Sequence, residues 1–100
     1  MDVDLQAVLD ALRTHEVELR RLGVQHAGVF GSLVRGEAHP GSDIDILIDL
    51  DPDRPIGVFG YARLKLYIGD LLSGATDVVN RRKLKPLLRD NILRECVNAF

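Results

Sequence analysis

Between Asp43 and Leu50 the chain reads Asp-Ile-Asp-Ile-Leu-Ile-Asp-Leu, and its period of two is the signature of a β-strand. Side chains alternate across a strand, so Ile44, Ile46 and Ile48 belong to a core face while Asp43 and Asp45 share the opposite one. Two residues of strand rise put the acidic pair about 6.5–7 Å apart at their Cα atoms. A strand buried on one face and acidic on the other requires helices against the first face and leaves the second open. Two carboxylates held this close repel each other, and a divalent cation beside them reverses the sign of that interaction. An oxygen-only donor set with few protein carboxylates suits Mg²⁺ or Mn²⁺, with phosphate oxygens completing the shell. Two such ions about 3.5–4 Å apart are a recurring arrangement in phosphoryl-transfer sites. Taken alone, an Asp-x-Asp is more often a solvated acidic edge strand with no ligand.

The flanking segments give the frame. Leu5, Val8, Leu9 and Leu12 follow helical spacing, and the pattern predicts one helix running on through Leu19 and Leu22 to Gly23. Val24 to Phe30 reads as a buried strand ending in Gly31-Ser32. Leu33 to Arg35 forms a short helical turn, and Gly36 to Ser42 is a loop in which Pro40-Gly41 blocks regular structure. After the turn-rich Asp51 to Pro55, a helix over about Val58 to Leu72 turns Leu64, Ile68, Leu71 and Leu72 inward. Thr76 to Asn80 is a third strand. A final helix from near Leu84, with Pro86 in its first turn, carries Leu84, Leu88 and Ile92 inward and ends with Cys96 as a small apolar residue. The predicted fold is α/β (α+β), a small mixed β-sheet of three or four strands flanked by helices in the order α-β-(turn)-β-α-β-α, one domain over 1–100.

Gly31-Ser32 narrows the chemistry. A strand ending in Gly-Ser before a helical turn offers main-chain N–H groups and a hydroxyl to a phosphate, with no side chain in the way. Arg35 can neutralise phosphate charge or pin the acidic loop. A P-loop is excluded, because Glu37 and Ala38 follow Gly31-x4-Gly36 where Lys and Ser/Thr are needed. An EF-hand starting at Asp43 is excluded too, because Leu47 and Ile48 stand where an acid or amide and a glycine are required. What is specific is the combination of Gly31-Ser32, ten intervening residues and Asp43-x-Asp45.

That combination carries a resemblance. Gly31 to Asp51, GSLVRGEAHPGSDIDILIDLD, resembles the signature of the DNA polymerase beta-type nucleotidyltransferase superfamily, and within it the minimal nucleotidyltransferases, prokaryotic proteins of about this length. Ala75 to Val79, Leu84 to Leu88 and Ile92 to Glu95 are similar to that group's C-terminal half. The resemblance implies that Asp43 and Asp45 hold Mg²⁺, and that Gly31 and Ser32 grip the triphosphate of ATP or another NTP. It also implies a third carboxylate on a neighbouring strand that activates the attacking hydroxyl and shares one metal. Asp77, opening the third strand, is the candidate; Asp70 is a poorer one, and Asp49 and Asp51 are expected in solvent. Minimal nucleotidyltransferases pair with small helical HEPN proteins as antitoxin and toxin, and the implied reaction is transfer of AMP to a tyrosine of such a partner. An antitoxin whose site is unused, and a small-molecule nucleotidyltransferase, are the alternatives; the second lacks a substrate-recognition domain in this sequence.

Composition sets outer limits. A net charge of −2 gives no basic excess for nucleic acid, so direct nucleic-acid binding is not expected. The charge is segregated: residues 37–53 hold six acids and no Lys or Arg, whereas residues 81–94 hold six bases against Asp90. The basic run Arg81 to Lys85 either touches phosphate or a partner, or is a solvated helix start. One cysteine allows no intrachain disulfide, and His15, His26 and His39 lack metal-ligand spacing. Tyr61 and Tyr67 read as packing residues, with a place beside a nucleotide base as the alternative for either. The acidic Met1-Asp2-Val3-Asp4 is unlike a signal peptide and no apolar run could span a membrane, so a cytoplasmic protein is the expectation.

Overall fold

The computed structural model describes residues 4–39, 41–72 and 74–100. Met1 to Val3, read above for a signal peptide, and Pro40 of the loop lie outside the described residues. The elements are α1 (Leu5–Thr14), α2 (Glu16–Arg21), β1 (Val24–Phe30), α3 (Ser32–Arg35), β2 (Ile44–Leu50), α4 (Gly57–Leu71), β3 (Thr76–Asn80), a 3₁₀ turn over Arg81–Lys83, α5 (Pro86–Glu95) and β4 (Val97–Asn98). The sheet runs in the order β3-β2-β1-β4. β1 is antiparallel to both β2 and β4, and β2 is parallel to β3. A parallel pair cannot be joined by a tight turn, and α4 supplies the crossover.

The alternation in β2 decides the layering. Ile44, Ile46 and Ile48 are buried beside Ala27 and Val29 of β1 and Val78 of β3. Val8, Leu9 and Leu12 of α1, Leu19 of α2, and Leu64, Ile68 and Leu72 of the α4 segment close the same core. Asp4 begins α1 as its cap, its carboxylate accepting from the Ala7 N–H at 2.9 Å. Tyr61 ties α4 to the edge strand, its hydroxyl donating to the Val78 carbonyl at 3.1 Å. Replacing it (Tyr61→Phe) leaves that carbonyl short of a partner, and urea unfolding should show a loss of about 0.5–1.5 kcal/mol. An unchanged midpoint would mean that water serves the carbonyl equally well.

Three expectations are corrected. The N-terminal helix is two helices, because His15 leaves helical geometry (φ −104°, ψ 18°) while its Nδ1 donates to the Ala11 carbonyl at 2.9 Å. The last helix begins at Pro86, not Leu84, and does not pack as an amphipathic core helix: none of its residues is buried, Leu87 is 92% exposed and Leu88 54% exposed. It ends at Glu95, and Cys96 is its cap, outside it. The reason is β4, which pairs Val97 with Val29 and Asn98 with Gly28 and so pulls the C-terminal end of α5 against the sheet. Gly28 makes this possible, since a Cβ there would lie 2.6 Å from the Cys96 Sγ. Arg13 holds the same segment from the core side, its Nε donating to the Ala99 carbonyl at 2.8 Å. Leu71, read as inward, is half-buried and does pack against the core.

Candidate active site

On the sheet face away from the core helices, β2 presents Asp45, Leu47 and Asp49. β3 stands in parallel register beside it, with Asp77 opposite Asp45 and Val79 opposite Leu47. Register partners in neighbouring strands lie about 4.7–4.9 Å apart, so the two carboxylates emerge side by side. Asp43 immediately precedes β2, two residues from Asp45 and therefore on the same side; the Ile44 N–H just after it bonds the Ala75 carbonyl at 2.8 Å. The sheet thus brings together all three acids expected from sequence. Burial holds the Asp45 carboxyl above its ordinary range, and Asp77 and Asp43 push it further in the same direction; Arg35 opposes them weakly.

β1 ends against this cluster. Phe30 pairs with Asp45 across the antiparallel ladder, and Gly31 makes the turn into α3. Gly31 sits at φ +81°, ψ −151°, a region open essentially to glycine alone. A Cβ on it would overlap Asp45 Oδ2, so the turn backs directly onto the carboxylate. Ser32 opens α3 and is half-buried. Arg35 closes α3 and is engaged twice: its Nε donates to Glu37 at 3.1 Å, and its Nη1 donates to Glu95 Oε1 and Oε2 at 3.1 and 3.0 Å. Glu95 also accepts from the Gly31 N–H at 2.8 Å. Sequence inspection gave Glu95 no role, because its neighbours in space are on the far side of the chain and only the β4 return brings it there.

The acidic face suits a hard cation by its chemistry rather than by a finished cage. Among the described residues no three acidic, histidine or cysteine groups converge as a ready metal site. Magnesium, however, keeps waters and takes phosphate oxygens along with one or two carboxylates, so it does not need such a cage. Burial first, and then repulsion from Asp77 and Asp43, raise the Asp45 carboxyl, and a cation would relieve the repulsive part.

The remaining expectations separate at the other end of the face. Asp49, expected in solvent, is half-buried and accepts from Arg81 Nη1 at 3.3 Å. The two line a cleft of about 200 Å³ with His26, Leu93, Cys96 and Asn98. So the first residue of the basic run is held by an acid on the sheet, while Arg82, Lys83 and Lys85 are exposed. Burial pushes the Cys96 thiol up. Tyr67 stacks edge-on against His15 at 6.3 Å, which fits its packing role. Asp70 is exposed on α4, where it lines a pocket with Thr76 and Val78 of β3.

The family model described as nucleotidyltransferase domain matches residues 12–98. The chain belongs to this family. It is 40% identical over 94 residues to the protein adenylyltransferase MntA of Thermococcus cleftensis, covering 93% of each chain. A solved structure of a candidate minimal nucleotidyltransferase superposes with a TM-score of 0.75 at 40% identity, covering 95% of both chains. The fold is also shared, at a TM-score of 0.63 and 17% identity, with a chain from the complex of tri-AMPylated Shewanella oneidensis HEPN toxin with MNT antitoxin; 92% of this chain and 71% of that one are covered. As a family member the chain is a nucleotidyltransferase of the minimal type, and the mixed four-stranded sheet with its flanking helices is the fold that the sequence predicts. No helix among the described residues is long and apolar enough to cross a membrane.

Proposed function

We propose that this nucleotidyltransferase transfers AMP from ATP, with Mg²⁺, to a tyrosine hydroxyl of a small helical HEPN-type protein and thereby acts as its antitoxin. The observation that carries this reading is the register of Asp45 against Asp77, with Asp43 on the same side and Gly31 packed against Asp45. The donor and the partner are taken from the relatives: the Thermococcus protein bears the name of a protein adenylyltransferase, and the Shewanella complex holds an AMPylated HEPN toxin.

In this reading Asp43 and Asp45 would hold Mg²⁺, with Asp77 as the third carboxylate of the same site. The metal supplies charge neutralisation for the attacking and leaving oxygens of an in-line displacement. Gly31 and Ser32 grip the triphosphate, and Arg35 lies close enough to balance its charge. The acceptor oxygen attacks the α-phosphorus, the bond to the bridging oxygen of the β-phosphate breaks, and pyrophosphate leaves. The hydroxyl proton passes to Asp77, which is exposed on the edge strand β3 where an incoming protein can reach it. Catalysis by such a site is positioning and electrostatics, which a rigid sheet provides.

The test is to co-express the chain with the product of its neighbouring gene, add ATP and magnesium, and read both intact masses. An adenylyl increment on the neighbour, lost in Asp43→Ala/Asp45→Ala, is the expected result. Full neutralisation of the neighbour by the double variant, with no mass change in the wild type, would overturn the enzymatic reading in favour of inhibition by binding alone.

A further inference from the structure

The Gly31 N–H already holds an anion. Glu95 Oε1 takes it at 2.8 Å, and both Glu95 oxygens lie on Arg35 Nη1 at 3.0 and 3.1 Å. A carboxylate held by a main-chain N–H and a guanidinium has the donors and charge that a phosphoryl group would use. We propose that Glu95 occupies the nucleotide's phosphate position as an internal competitor and must swing out when the nucleotide binds. This rests on the reading of Gly31-Ser32 as the triphosphate grip.

Three observations favour a displaceable anion over a purely structural tie. Glu95 is the last residue of α5, where the helix dipole is negative and disfavours a carboxylate. It adds a further negative charge at the Gly31 turn, which backs directly onto the Asp45 carboxylate. The helix that carries it buries no residue while β4 fixes its end to the sheet, so the exchange is a rotation of the Glu95 side chain and not a movement of the helix. Glu95 therefore sits against the local field of both its own helix and the acidic cluster, and the groups that hold it are the two that an incoming phosphate needs. When it leaves, Arg35 keeps its Nε bond to Glu37 at 3.1 Å, so the guanidinium stays on the same side of α3 with Nη1 free for phosphate.

The competitor sets nucleotide affinity, and removing its charge should tighten binding. In Glu95→Gln the amide oxygen still accepts from the Gly31 N–H, while the neutral group holds Arg35 less firmly and repels phosphate less. The expected result is a dissociation constant for the ATP analogue AMP-PNP, measured by calorimetry with Mg²⁺ on the full chain, about three- to tenfold lower than that of the wild type, a span of roughly half to one power of ten. Glu95→Ala, with no acceptor left, should tighten binding as well, and thermal melting of both variants establishes that they are folded. Weaker or unchanged binding in the folded variants would overturn the proposal, showing that Glu95 positions the turn and Arg35 for the nucleotide. Absence of AMP-PNP binding in wild type and variants alike would instead overturn the triphosphate grip, and this inference with it.

Discussion

Asp45→Asn should lower nucleotidyl transfer by about three orders of magnitude while making the metal-free protein more stable at neutral pH. The two effects have one cause. Asp45 is half-buried between Asp43 and Asp77, and burial followed by their repulsion holds its carboxyl above the ordinary value of 3.8. Between that value and the higher one in the folded chain, the native state binds the extra proton. Stability therefore falls as pH rises through this window, and the ionised Asp45 is a net cost at pH 7. Asparagine has similar size and no charge, so it removes the cost along with the cation's ligand. Thermal melts without metal should place the variant above the wild type at pH 7, with the gain disappearing below pH 3.8. Adding Mg²⁺ and nucleotide should reverse the order, since only the wild type gains from binding. A variant that melts lower than the wild type at pH 7 would mean that Asp45 is stabilised by partners and is not a strained, cation-seeking group.

The same strand explains how much was legible beforehand. Ile44, Ile46 and Ile48 could be sorted from Asp43 and Asp45 by period alone, and that sorting placed the helices, the core and the open face. β1 and β3 match the predicted bounds because each is a short apolar or β-branched run between turn residues. Asp77 could be named as the third acid, but its register against Asp45 is a tertiary fact that no local pattern contains. β4 is two residues long and has no period to read. Missing it led directly to the wrong picture of α5, because Leu84, Leu88 and Ile92 have helical spacing whether or not a core lies beneath them. Glu95 was invisible for the same reason. Asp49 was assigned to solvent because its partner, Arg81, arrives from beyond β3, and a charge pair between distant segments leaves no trace in spacing. At 3.3 Å and with both side chains partly exposed, that pair is worth about 0–1 kcal/mol, so it aligns the cleft more than it holds the fold.

Replacing Gly31 tests the junction between the fold and the chemistry. In Gly31→Ala the new methyl group must adopt φ +81°, ψ −151°, where strain costs about 1–3 kcal/mol, and it must also occupy the space of Asp45 Oδ2. The carboxylate sits on a central strand between β1 and β3, so the backbone cannot move aside and the side chain has to turn away. A displacement of about 1 Å at such a group is enough to reduce rate about a hundredfold, even if the protein stays folded. Gly36→Ala is the internal control. Gly36 also has positive φ, at +73°, but an added Cβ there meets nothing within 4 Å. It should cost about 1–2 kcal/mol of stability from the left-handed backbone alone and leave turnover of folded protein near the wild-type rate. Measured by melting temperature, the two variants should be comparable; measured by adenylylation of the partner at a temperature where both are folded, they should differ by the full hundredfold. Equal activities would show that Asp45 does not need its observed position, and the carboxylate cluster would lose its place as the reaction centre.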